Sequence, residues 1–367
     1  MPENHDGVGR VPHWVRRAAA VADHLADELV EEMRTGGTQA RHDLHRGLAR
    51  GVRALSRPAP ALAAFLHDLE HPPAHLDPDI LDRGSDAWFT HPGWVHAIAL
   101  SAGSLVEVYR CPSIAAALAA TGPLLNTAGT RLDATGQWVN SALLPGALRP
   151  GREGYVATAH VRLVHARART AALNGGYDPA VHGLPVNQAD LLRTWLAFTH
   201  TSFRAEAMLG YTWSEAELGG LYRYWQHIAH LLGIEPHLVA HLSGPAAAAE
   251  AGRQLAAQRQ DPVAVEADAL TRHTIEAVAG TLQAQLGLSA TVGRPLLRAL
   301  VTLFHTDARD RRSPARLLHP ALTALRPAVG LGYRWQSRPA RRAALIAQNL
   351  DLTRAYVHSL DGRHRAR

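Results

Sequence analysis

Through most of the chain apolar residues return every three or four positions, and strictly alternating β-branched runs are scarce, so the pattern predicts an all-α protein. A first helix is expected over 13–34 and a second over 40–56. The stretch 66–93, rich in Pro, Asp and His, reads as an irregular connection. Apolar helices follow at 94–109 and 112–120, with another inside 121–140. GALRPGREG (146–154) is a loop by its glycines and prolines, and NGGYDPAVHGLP (174–185) is a second, so the segment between them forms one long helix. Two helix starts are well marked: Asn187 as N-cap with Asp190 three residues on, and Ser214 with Glu217. Further helices are expected near 262–286, 293–306, 315–325 and 339–360. With no fixed-period repeat and no linker, the reading is a single globular multi-helix domain over 1–367, with flexible ends at 1–12 and 361–367.

The helix between the two loops carries HVRLVHARART (160–170), which puts two histidines and three arginines into a helix expected to pack. At about 100° per residue, Arg162, His165 and Arg169 fall within about 60° of one another. Val161, Val164 and Ala168 form the adjoining apolar stripe, with His165 on the border, while His160 and Arg167 point the other way. Such a face suits a large, flat, partly anionic ligand. It equally suits a core helix with a satisfied histidine.

Composition narrows the choice. The 19% charged residues and a formal net charge of +6 belong to a globular chain with interspersed signs, so no nucleic-acid partner is expected. One cysteine, Cys111, excludes an intrachain disulfide framework, thiolate zinc clusters and a C-x-x-C-H haem attachment. No apolar run approaches the roughly 18 residues that span a bilayer. Arg16-Arg17 precedes AAAVADHLADELVEEM, whose Asp23, His24, Asp27 and Glu28 interrupt any signal-peptide core, so a cytoplasmic protein is expected. HExxH, paired E-x-x-H, G-x-S-x-G, P-loop and G-x-G-x-x-G motifs are all missing. The pairs His227/His230 and His237/His241 share helix faces but have no companion carboxylate at a fitting spacing, and they read as structural.

One constellation remains. Arg131 and Thr135, in TRLDATGQW (130–138), share a helical face, and His165 follows Arg131 by 34 residues across one loop. RLDAT (131–135), RLVHARAR (162–169), GLPVNQADLLRTWLAF (183–198) and YWQHIAHLLG (224–233), in that order, resemble the latex clearing protein, rubber oxygenase and MpaB-type oxygenase family. The resemblance covers about 90–245 and implies a haem-binding core there, within an all-helical fold that holds haem b non-covalently. It makes His165 the proximal iron ligand, and Arg131 and Thr135 the polar pair beside the haem. The wheel adds Arg162 and Arg169 as cations for the haem propionates. Asn187 and Asp190 read as capping residues, and His200 is left open between a structural and a distal role.

The departures shape the expected activity. Rubber-cleaving members carry lysine directly before the threonine, where this chain has Ala134, and an upstream acid, which CPSIAAALAATG (111–122) lacks. The implied function is therefore a haem-dependent oxygenase using dioxygen or peroxide on a hydrophobic molecule smaller than polyisoprene. A haem sensor or carrier without turnover, and a cofactor-free helical interaction protein, are the alternatives.

Overall fold

Helix after helix follows the chain in the structure, a computed structural model that describes residues 11–121, 124–256, 276, 289–305, 315–336 and 338–365. Among the described residues there is no strand, so the all-α expectation holds. No helix is long and apolar enough to cross a membrane. The N-terminal helices are α1 (His13–Ala19), α2 (His24–Arg50) and α3 (Pro60–Glu70). A run over 93–109 (α4) is followed by α5 (Pro112–Ala120), α6 (Leu124–Leu143) and α7 (Glu153–Asn174). Then come a run over 188–208 (α8), α9 (Glu215–Leu231), α10 (Pro245–Ala256), α11 (Ala290–His305), α12 (Ala315–Gln336) and α13 (Pro339–Arg365). The expected helix at 262–286 lies, apart from Glu276, outside the described residues.

Local chemistry explains most boundaries. Asn187 accepts from the Asp190 backbone N–H at 2.9 Å and starts α8, and Ser214 and Glu217 close a reciprocal capping box at α9. The single helix expected over 13–34 is broken at 20–23, because Asp23 caps α2 rather than continuing α1. Conversely α2 runs through the expected gap at 35–39, kinked at Gly37, whose φ of 62° only glycine adopts freely. The helix α12 continues past Pro327, where the sequence suggests a stop, and delivers Tyr333 to a hydrogen bond with Thr90 at 3.1 Å. Residues 361–365, expected as a loose end, extend α13. Both α4 and α8 widen into π turns, at Ala99–Leu105 and Ala197–Thr201, which pack against each other.

The core runs from Leu29, Phe65 and Leu66 of α2 and α3 through Leu163 and Ala166 of α7 to Trp195, Tyr222 and Trp225. Helix α7 lies at the centre, touching α2, α5, α6 and α9.

Candidate functional site

The hairpin of α6 and α7 sets the geometry. At its closed end Gly154 leaves no room for a side chain: a Cβ there would sit 2.9 Å from the Ala142 Cα. One turn on, the Trp138 indole donates to the Thr158 hydroxyl at 3.0 Å. These contacts fix an antiparallel register. Counting two turns from Trp138 reaches Arg131, and two turns from Thr158 reaches His165. Seven residues return a helix to within about 20° of its starting face. Arg131 and His165 therefore stand at one level of the hairpin, each on the face its helix turns to the other.

His165 is half-buried, and its Nδ1 is out of water with no hydrogen-bond partner. Burial, helped by the charge of Arg169 and opposed by Asp23, pushes its pKa down to about 4, so the imidazole is neutral at ordinary pH. Beside it Val161 and Ala168 are half-buried and Val164 is 53% exposed, so the apolar stripe is not closed by protein. Arg131 has one long contact, from Nη2 to the Thr121 hydroxyl at 3.4 Å, and no carboxylate partner among the described residues. The Thr135 hydroxyl donates to the Arg131 carbonyl at 2.8 Å.

The two arginines expected at the propionates are engaged with other groups in the structure. Arg162, 3% exposed, donates from Nε and Nη2 to Asp23 at 2.6 and 2.9 Å, and from Nη1 to Asp68 at 2.6 Å. Arg169 donates from Nε to Asp27 at 3.0 Å and from Nη1 to the Val186 carbonyl. Both guanidinium groups sit some 40–60° round the helix from His165 and turn to the acids of α2 and α3. A buried guanidinium is drawn to the nearest buried carboxylate, and the wheel alone does not display Asp23, Asp27 or Asp68.

Thr135 also opens onto a cavity of about 480 Å³ with Gly136 and Val139 of α6. Its far walls include Trp88, Trp94, Leu105 and Phe198. The other face of α6 thus borders a largely apolar compartment.

Sequence reasoning missed a second cluster, at the buried end of this cavity. Glu206, fully buried, accepts from His91 Nδ1 at 2.6 Å and from His96 Nδ1 at 3.0 Å. His96 Nε2 lies 3.0 Å from the Trp88 carbonyl, so both its nitrogens meet acceptors. His91 stacks on Trp213 at 4.0 Å with Nε2 unpartnered. Burial alone pushes Glu206 up, but His96 and His91 outweigh it and hold it below the usual carboxylate value. About 110 residues separate Glu206 from these histidines, so no short-range spacing announced them. His200 lies in a different cavity, with Arg193 and Arg204, and His227 donates to the Asp77 carbonyl at 3.0 Å.

Residues 89–350 match the family described as ER-bound oxygenase mpaB/B'/Rubber oxygenase, catalytic domain. The chain belongs to this family. The match begins at the start of the 90–245 segment and runs on into α13. Among solved structures, latex clearing protein in the closed state is similar over 93% of this chain and 91% of its own, with a TM-score of 0.64 and 20% identity. At that identity the likeness concerns the fold. No curated protein sequence matches this one. As a member of the mpaB and rubber oxygenase family, the chain carries its Arg131, Thr135 and His165 inside the matched region.

Proposed function

We propose that this protein is a haem b-dependent oxygenase acting on a hydrophobic small molecule, with His165 as the iron ligand. The observation that carries the reading is the register of the α6–α7 hairpin, which sets Arg131 level with a neutral His165 whose Nδ1 has no partner. These residues fit the cofactor: a neutral imidazole beside an unclosed apolar stripe, and facing it a guanidinium with no carboxylate of its own. When bound, haem supplies an iron centre that activates dioxygen.

The chain's own contributions follow from their positions. His165 would hold the group from α7, and its depressed basicity keeps the ring unprotonated and able to bind metal. Arg131, rather than Arg162 or Arg169, is the guanidinium free to meet a propionate or a polar group of the substrate complex. Thr135 fixes the turn that carries Arg131, and the cavity it shares with Val139 and Phe198 holds the apolar substrate away from water. Ala134 is exposed where rubber-cleaving relatives carry lysine, which keeps a sensor or carrier role as the second reading.

The test is direct. Protein produced with adequate haem supply should show a strong Soret band, and His165→Ala should lose most of it while keeping its helical circular dichroism. A wild-type preparation that stays colourless after incubation with hemin overturns the cofactor. Oxygen consumption with a panel of small alkenes then separates an oxygenase from a carrier.

A further inference from the structure

A second cavity, of about 600 Å³, lies between α4, α8, α10 and α11, and it includes none of Arg131, Thr135 or His165. Its polar wall is cationic. Arg110 and Glu107 face it from α4 and its C-terminal end, Arg193, His200 and Arg204 from α8, Arg253 from α10 and His305 from α11. Of the four guanidinium groups, Arg193 is bound to Asp190 and Arg253 to Glu250. Arg204 spends one N–H on the Phe304 carbonyl at 2.8 Å, and neither it nor Arg110 has a carboxylate partner among the described residues. The one carboxylate in the wall, Glu107, is 3.3 Å from His305 Nδ1. Leu196, Ala197, Leu255 and Phe304 supply an apolar floor. His200 sits on the π turn Ala197–Thr201, which pushes its residues out of the regular helical face.

We propose that this cavity binds a small amphiphilic carboxylate, its anionic head between Arg110 and Arg204 and its apolar chain against Leu196 and Phe304. Each of these guanidinium groups, without an acid partner among the described residues, presents a fork of N–H donors that a carboxylate fits in charge-assisted hydrogen bonds. The floor favours an apolar chain over a bare inorganic anion, and the volume falls within the usual range of small-molecule sites. Binding also couples to a proton. Burial, then Arg204 and Arg253, hold His200 below its ordinary pKa, so the empty site keeps it neutral. A bound carboxylate offsets those charges and lets the ring take up a proton, so affinity rises as pH falls below neutrality.

Calorimetric titration of the full-length chain with hexanoate tests this, with hexan-1-ol and inorganic phosphate as comparison probes. Hexanoate is expected to bind saturably and more tightly than either. Its affinity should rise several-fold between pH 7.5 and 5.5, with proton uptake visible as a buffer-dependent heat. Arg110→Glu and Arg204→Gln should each weaken it by about tenfold, roughly the loss of one charge-assisted contact. Arg110 is exposed and its backbone bond to the Val106 carbonyl does not involve the side chain, so its variant is expected to fold and keeps the test sound. His165→Ala should leave the affinity unchanged, which separates this site from the haem. Equal binding of hexanol or phosphate, loss of binding in His165→Ala, or wild-type affinity in both arginine variants overturns the proposal.

Discussion

Arg131, Arg162 and Arg169 carry one charge each on a single hairpin, and what surrounds each one decides its use. Arg162 sits between Asp23 and Asp68 with its guanidinium carbon 5.0 Å from the centre of the Phe65 ring, and Arg169 holds the Val186 carbonyl. Val186 has a φ of 53°, which a β-branched residue adopts only when held there. Removing Arg162 strands Asp23, which is 6% exposed, so Arg162→Met should cost about 3–5 kcal/mol in chemical denaturation. Haem bound per folded molecule should stay as in wild type. Arg131→Ala should do the reverse, leaving stability within about 1 kcal/mol and lowering haem affinity or turnover. If Arg162→Met lost haem while retaining its stability, the division between the two arginines would be wrong. Gly233 guards the same ion pair: at φ 74° a Cβ would lie 2.3 Å from Asp23 Oδ2 and 2.5 Å from Arg162 Nε. Gly233→Ala should therefore destabilise by about 2–4 kcal/mol, measured by urea unfolding.

At the scale of elements, the chain announced what local chemistry controls. The capping residues Ser214 and Asn187 mark their helix starts because the side chain that ends the loop also satisfies the first free N–H groups. The order and spacing of Arg131, Thr135 and His165 were legible because one short loop joins two helices. What escaped were decisions made by distant partners. Asp23 breaks the first helix where Arg162, 139 positions away, receives its carboxylate. Helix α12 runs on past the proline at 327 and carries Tyr333 to a partner, Thr90, more than two hundred positions away. The His91–Glu206–His96 cluster joins an irregular segment and the first turn of α4 to the end of α8, a pairing without periodicity. The hairpin register itself rests on Gly154. Its replacement by alanine meets Ala142, Ser141 and Ala147 within 3.0 Å and must part α6 from α7. Gly154→Ala should cost about 1–3 kcal/mol and weaken hemin binding at least fivefold, because Arg131 and His165 then lose their level. Gly252→Ala, whose Cβ enters open space on α10, is the control. Equal hemin affinity in both variants would sever the site from the register.

For the molecule as a whole, two buried histidines and one buried glutamate act on stability in the same direction. His91 and His165 are both held below the ordinary histidine value, chiefly by burial, so the unfolded chain takes up protons first as pH falls below about 6.5. Their contribution is present above that value and is lost on acidification, for His165 down to about pH 4. Glu206 is held below its model-peptide value of 4.5 by His96 and His91 against burial, so its contribution is lost as pH falls through 4.5 and lower. These three groups should therefore lower the unfolding free energy from about pH 6.5 downward, opposed in the carboxylate range by Asp190, Asp27 and Asp86, which burial pushes up and which take up protons first in the folded chain. Glu206→Gln isolates the carboxylate. It leaves His96, 7% exposed, and His91 facing an amide in place of the buried carboxylate they share, and should lose about 3–5 kcal/mol at pH 7. Its pH curve should also be flatter below 4.5, because the group that titrates there is gone. Urea unfolding of both proteins across pH 3.5–7.5 measures the two effects together. A variant as stable as wild type at pH 7, with an unchanged acid slope, would show that the two histidines and Glu206 do not share a charge.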